Sequence, residues 1–193
     1  MWMLVSGLAL FFVAHLVPTF PDVRTRLVGM MGRGPYAGLF SLVSLVSLVL
    51  VVWGYGAMQG LGRANPQLWL SPAWMKHVTM LLMLPALILL VAAYIPSRIR
   101  TVVRHPMLTA VLVWSFSHLL VNGDLASVIL FGSFLAYAVY DIVSVSQRTA
   151  LGPLGTTPGD VVGDVIAIAG GVALYALLLF WGHQKLTGVP LLP

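Results

Sequence analysis

From Tyr36 to Met58 the sequence reads YAGLFSLVSLVSLVLVVWGYGAM, without one charged side chain. A helix of that length can cross the hydrocarbon core of a bilayer, which takes about 20 predominantly apolar residues. Comparable runs recur at Trp2 to Val17, Pro72 to Ile95, Pro106 to Val121, Leu125 to Val145 and Val161 to Gly182. Inside lipid the backbone must satisfy its own hydrogen bonds, which leaves helices or closed barrels. The runs are continuous rather than alternating, so helices are expected. The expected fold is therefore all-α: a polytopic membrane helix bundle of about six transmembrane helices, read as a single domain over residues 1–193. The composition agrees. Only 8% of the 193 residues are charged, 60% are hydrophobic, and the mean hydropathy is +0.99. Soluble domains carry about 25% charge.

The punctuation between runs is specific. Pro18 and Pro21 close the first span and Pro96 closes the third. Asn122-Gly123 is a turn signal, and Asp124 is placed to cap the next helix. Glycine, proline and threonine from Gly152 to Gly159 form a loop. The N-terminal run lacks a basic leader and a small-x-small cleavage site, so it is read as a helix rather than a signal peptide.

Basic residues set direction. Arg24, Arg26, Arg33, Arg98, Arg100, Arg104 and Arg148 fall in the loops after spans one, three and five, whereas the opposite face holds Arg63, Lys76 and Lys185. Seven against three is a positive-inside bias, which places both termini on the outer, periplasmic side. The net charge of +5 is thereby explained by topology, without nucleic acid. Trp2, Trp53, Trp69, Trp74 and Trp181 fall near the outer face, as an aromatic belt does. Ser41, Ser44 and Ser47 recur every three residues, which suits close helix contact with hydrogen bonds across it. Asp160 and Asp164 flank the start of the sixth span, where capping and interfacial solvation account for them.

The chain has no cysteine, which excludes disulfides, iron–sulfur clusters and thiolate ligands. It has no glutamate either, and its aspartates are Asp22, Asp124, Asp141, Asp160 and Asp164. Attention falls on histidine, since ionisable residues within a membrane are costly and mark function. His183 follows the sixth span and reads as a solvated interface residue. His77 and His118 lie about one turn from the outer face on spans three and four. His15 and His105 lie at the inner level. His105 and His118 are thirteen residues apart, about 20 Å along a helix, so they belong to different sites. Neutral imidazoles without cysteine or glutamate suit haem iron or another transition metal. Zinc asks for three or four ligands, and a third is not evident at the outer level. The competing reading is histidines hydrogen-bonded between helices. Trp114, one turn before His118, either lines a pocket with it or packs.

Three stretches, RLVGMMGRGPYAGLFSLVSLVSLVLVVWGYG, SPAWMKHVTMLLMLPALILLVAAYIPSRI and RHPMLTAVLVWSFSHLLVNGD, resemble the NnrU family over nearly the whole chain, to about Arg148. The resemblance implies a multi-pass protein of the bacterial inner (plasma) membrane, associated with denitrification and nitric oxide metabolism. NnrU proteins are in turn similar to the 15-cis-zeta-carotene isomerases, membrane haem b proteins that act on a lipophilic polyene. That similarity sets the isomerase "TH" on Ala14-His15, its "RHP" on Arg104-His105-Pro106, and its "W…H" run on Trp114 and His118. It implies haem b with axial ligands at His118 and His15. It also places the isomerases' exchangeable cysteine at Ser115, which cannot perform that exchange. Depth pairs His118 with His77 instead, so His118 is common to both accounts.

Arg104 and His105 open the fourth span, where a helix start favours an anion or a phospholipid headgroup. The triplet also resembles the arginine-histidine-proline of membrane methyltransferases that hold S-adenosylmethionine, without their later acidic and asparagine features. The functions in view are a haem b protein acting by isomerase or redox chemistry on a carotenoid-like substrate, a haem-based factor that meets nitric oxide, a cofactor-free membrane assembly or accessory protein, and a methyltransferase using Arg104-His105-Pro106. The lipid bilayer is the partner common to all four.

Overall fold

The computed structural model describes residues 1–59, 62–148 and 154–192; the first part of the loop expected from Gly152 to Gly159 lies outside them. The described residues are mostly helical, and among them there is no β-strand. In chain order the helices are α1 (Trp2–Leu16), α2 (Pro21–Met31), α3 (Arg33–Gln59), α4 (Met75–Ala92), α5 (Arg98–Val103), α6 (Pro106–Val121), α7 (Leu125–Arg148), α8 (Val161–Leu177) and α9 (His183–Thr187). A π-helical turn, Leu178–Gly182, joins α8 to α9.

Five stretches are long and apolar enough to cross a membrane: Trp2–Thr19, α3, α4, α7 and Val161–Thr187. The protein is an all-α, multi-span membrane protein. The apolar α6 is shorter, with 16 residues. At the ordinary helical rise it is about 24 Å long, against a hydrocarbon core of about 30 Å. Trp2, Trp53, Trp69, Trp74 and Trp181 are all exposed on the protein surface, as interfacial anchors are.

The chain divides into two compact units. Met1–Trp69 with Gly123–Ser133 forms the first, and Leu70–Asn122 with Phe134–Pro193 forms the second. In the first, α1 and α3 run antiparallel in close contact. A Cβ on Gly54 would meet the backbone of Leu4, with its Cα at 2.7 Å, and one on Gly7 would meet the Val51 amide nitrogen at 2.8 Å. Small residues allow such approach between membrane helices, where dispersion replaces the hydrophobic effect as the driving force. Leu4 and Ser47 are fully buried in this unit. The serine row behaves differently from expectation. Ser44 donates to the Phe40 carbonyl and Ser47 to the Ser44 carbonyl, so both hydroxyls turn back onto their own helix, while Ser41 is exposed.

The loop before α4 is tied to the start of α7. Asp124 caps α7, as its position after Asn122-Gly123 indicates: it accepts from the Ser127 amide at 3.1 Å and the Ser127 hydroxyl at 2.5 Å. Asn65 donates to the same carboxylate at 2.9 Å and Gln59 at 3.3 Å. Asn65 in turn accepts from the Ala126 amide, and Tyr55 meets the Ser127 hydroxyl at 2.9 Å. Burial by itself would raise the Asp124 carboxyl; the hydrogen bonds from Ser127, Asn65 and Gln59 outweigh it and hold the group below the usual carboxylate range.

In the second unit α4 packs against both α6 and α8. Thr79 donates to the Ser117 carbonyl at 2.9 Å, and a Cβ on Gly171 would meet the Ile88 Cα at 2.5 Å. Asp160 caps α8 through the Gly163 amide. Asp164 departs from the capping and solvation expected of it. It is buried, pairs with Arg98 Nε at 2.6 Å and accepts from the Ile99 amide at 3.0 Å, fastening α5 to α8. Arg98, expected as a topological anchor, is therefore also a structural clamp. Arg100 donates to the carbonyls of Gly155 and Thr157.

Candidate functional site

Helix α6 carries the candidate centre of the second unit. His118 lies in its last turn, where Nδ1 meets the Trp114 carbonyl at 2.8 Å. A backbone carbonyl can only accept, so Nδ1 carries the proton and the basic lone pair resides on Nε2. Metal-binding histidines are oriented in this way, by donating the other ring N–H to a carbonyl or carboxylate. The Trp114 ring stands 5.5 Å from the His118 ring and 5.5 Å, edge-on, from Phe134. Trp114 thus fixes His118 twice, by its carbonyl and by its ring. Ser115 is buried and donates to the Val111 and Leu112 carbonyls of its own helix.

His77 occupies the first turn of α4, with its amide donating to the Trp74 carbonyl, and its side chain is exposed. The Thr79–Ser117 bond sets the start of α4 beside the end of α6, so His77 and His118 do share a level. The sequence makes His183 a solvated interface residue after the sixth span. His183 is half-buried near the end of the helical stretch Val161–Thr187 and donates from Nδ1 to the Val189 carbonyl at 2.8 Å.

His15 belongs to the first unit. Its Nδ1 meets the Phe11 carbonyl at 2.8 Å. That contact assigns the same tautomer as in His118. Its ring stacks on Phe11 at 3.8 Å and leans on Phe40 at 4.9 Å. The two histidines singled out by the family resemblance therefore have the same local design, a histidine bonded to the carbonyl one turn earlier and flanked by aromatic rings.

Arg104 and His105 form a tight turn between α5 and α6. Arg104 has φ 61° and ψ −49°, and the His105 amide donates to the Val103 carbonyl at 2.7 Å. This is the rare, strained γ-turn with positive φ. The Arg104 side chain is exposed, and His105 is the residue preceding Pro106 at the helix start. Among the described residues no three histidine or aspartate side chains converge as a metal-binding group.

These features define a multi-span, all-helical membrane protein whose ordered imidazoles sit among aromatic rings. The chain matches the family described as NnrU protein over residues 3–191, nearly its whole length, and it belongs to that family. No curated protein and no solved structure matches it.

Proposed function

We propose that the protein binds haem b and that His118 would hold its iron. The observation that carries this reading is the hydrogen bond from His118 Nδ1 to the Trp114 carbonyl, which directs the ring and leaves the iron-binding lone pair on Nε2. The donor set fits the group: haem needs one or two imidazoles and an apolar, aromatic surround, which α6 supplies without a three-ligand cluster. When bound, haem contributes an iron that changes oxidation state and accepts small ligands such as nitric oxide. The chain's own part is to hold the imidazole, through Trp114, and to exclude water, through Trp114 and Phe134.

The reaction classes that follow are isomerase or redox chemistry on a lipophilic, carotenoid-like molecule entering from the bilayer, or a haem-based role in nitric oxide and denitrification metabolism. Arg104, exposed on its strained turn, and His105 serve an anion or lipid headgroup at the opposite end of α6. The proposed topology is six crossings of the bacterial inner membrane, α6 included, with both termini periplasmic. Absorption spectra of detergent-purified protein, oxidised and then reduced, with and without nitric oxide or carbon monoxide, test the proposal. A Soret band that shifts with reduction and ligand supports it. Purified protein that takes up no haem supports the cofactor-free accessory role instead.

A further inference from the structure

Among the described residues, Arg104 is the one non-glycine residue with a positive φ, at φ 61° and ψ −49°. Nothing local asks for it. Pro106 restricts the residue before it, His105, which has left the helical region at φ −126° and ψ 62°. It places no restriction on Arg104, and an arginine enters the positive-φ region only at a cost. Strained conformations of this kind persist where the surrounding structure over-determines them. The cause therefore lies in what holds the two sides of the turn.

The α6 side is held by packing. Pro106 and Ala110 are buried, and the Thr79 hydroxyl fastens α6 to α4 through the Ser117 carbonyl. The α5 side is held differently. None of its six residues is buried, and a helix that short has little stability of its own. Its attachment to α8 is at one end. Ser97, the fully buried N-cap, pairs with Asp160 in an isolated parallel bridge. Asp164 then accepts from Arg98 Nε at 2.6 Å and from the Ile99 amide at 3.0 Å. Gly159 and Gly163 permit this approach, since a Cβ on either would strike the Ser97 or Pro96 carbonyl. Arg100 adds a tie to the Gly155 and Thr157 carbonyls, in the loop before α8.

We infer that α5 is a strap held under load: Asp164 locks it to α8, the strain at Arg104 is the load, and opening the lock lets Arg104 return to negative φ while the strap lifts from α8. The inference rests on neither the haem nor the headgroup reading. The strap is about 9 Å long, and the non-helical residues 93–97 supply slack at its other end. Lifting uncovers the Asp164 carboxylate and the buried Ser97. The lock opens toward solvent, since the Arg98 side chain is 61% exposed and that of Asp164 only 13%. Strain at Arg104 offsets part of the stabilisation from the ion pair, which brings the locked and lifted states closer in free energy, as in a two-state switch.

The experiment measures spin-label distances and melting on the full chain in detergent. The sequence has no cysteine, so nitroxides attach only at two introduced ones, Val102→Cys on α5 and Leu177→Cys at the far end of α8, both exposed positions. With Asp164 intact the pair should give one narrow distance. Asp164→Ala should add a second, displaced population. Melting then links lock to load. Arg104→Gly should raise the thermal midpoint by about 2–4 °C over Arg104→Ala when Asp164 is present, and by less than about half of that in the Asp164→Ala background. Asp164→Asn, which removes the charge and keeps the shape, should show both effects at smaller size and serves if Asp164→Ala folds poorly. A single unchanged distance in both Asp164 variants overturns the inference. So does an equal gain from Arg104→Gly with and without Asp164, or a second population already present in the locked protein.

Discussion

Replacing Asp124 with alanine removes the acceptor on which the first unit's loop and the start of α7 converge. Four donors lose their partner: the Ser127 amide, the Ser127 hydroxyl, Asn65 and Gln59. Loss of a helix cap costs about 1 kcal/mol. The side-chain bonds add about 1 kcal/mol more, taken at the low end because water at the membrane surface re-solvates the donors. The total expected is about 2 kcal/mol, or roughly 4–8 °C in thermal midpoint for a chain of this size. Circular dichroism melting of the detergent-solubilised protein reads it, and hydrogen exchange should show faster exchange at Leu68, Ala126 and Ser127. The pH dependence has a definite sign. The Asp124 carboxyl is held below its ordinary value of 3.8 in the folded protein. Its contribution is therefore complete above that value and is lost as pH falls through the lower, folded one. The gap between wild type and Asp124→Asn should be present at neutral pH and close on strong acidification. Coincident melting at neutral pH, or a gap unchanged in strong acid, would refute the reasoning.

Gly54→Ala should cost about 1–3 kcal/mol, because the added methyl meets Leu4 backbone and forces α1 from α3. Gly56→Ala, where nothing lies within 4 Å, should be neutral or stabilising, and equal melting of the two variants would contradict the close contact. Arg104→Gly should relieve the positive-φ strain and raise the thermal midpoint by about 2–4 °C relative to Arg104→Ala; identical midpoints would remove the strain. Reporter fusions after Gly60 and Val121 should read periplasmic, and one after Val103 cytoplasmic. A cytoplasmic signal at Val121 would mean that α6 does not cross.

Much of this architecture is visible in the sequence because lipid imposes simple rules. Helix α6 begins at Pro106 and ends at Val121, where the proline and the Asn122-Gly123 turn place it. Helix α2 reads as loop in the sequence, since its apolar Val23, Leu27 and Met31 are interrupted by Arg24 and Arg26 and its length is below that of a span. The Asp124 cap is legible, for it depends on Ser127 three residues on. Asn65 and Gln59 are not, because they arrive from some sixty residues away in sequence. Asp160 and Asp164 look alike in sequence, four residues apart at one helix start, and only the fold of α5 against α8 gives Asp164 its Arg98. The serine row fixes which residues are small enough for close contact, but the direction of each hydroxyl is a rotamer choice that spacing does not encode. At the candidate site, depth along the helices sets His77 level with His118, as the Thr79–Ser117 bond between α4 and α6 does.

The most direct test of the central claim is the absorption spectrum of His118→Ala protein beside wild type, His15→Ala, His77→Ala and His183→Ala, each reconstituted with haem b in detergent. The account predicts that wild type shows a Soret band and that His118→Ala loses haem or changes coordination, to a five-coordinate or solvent-ligated form. A matching change in His15→Ala or in His77→Ala identifies the second ligand, and His183→Ala should retain the wild-type spectrum. Full haem occupancy with an unaltered spectrum in His118→Ala would contradict the claim and return His118 to a structural role between helices.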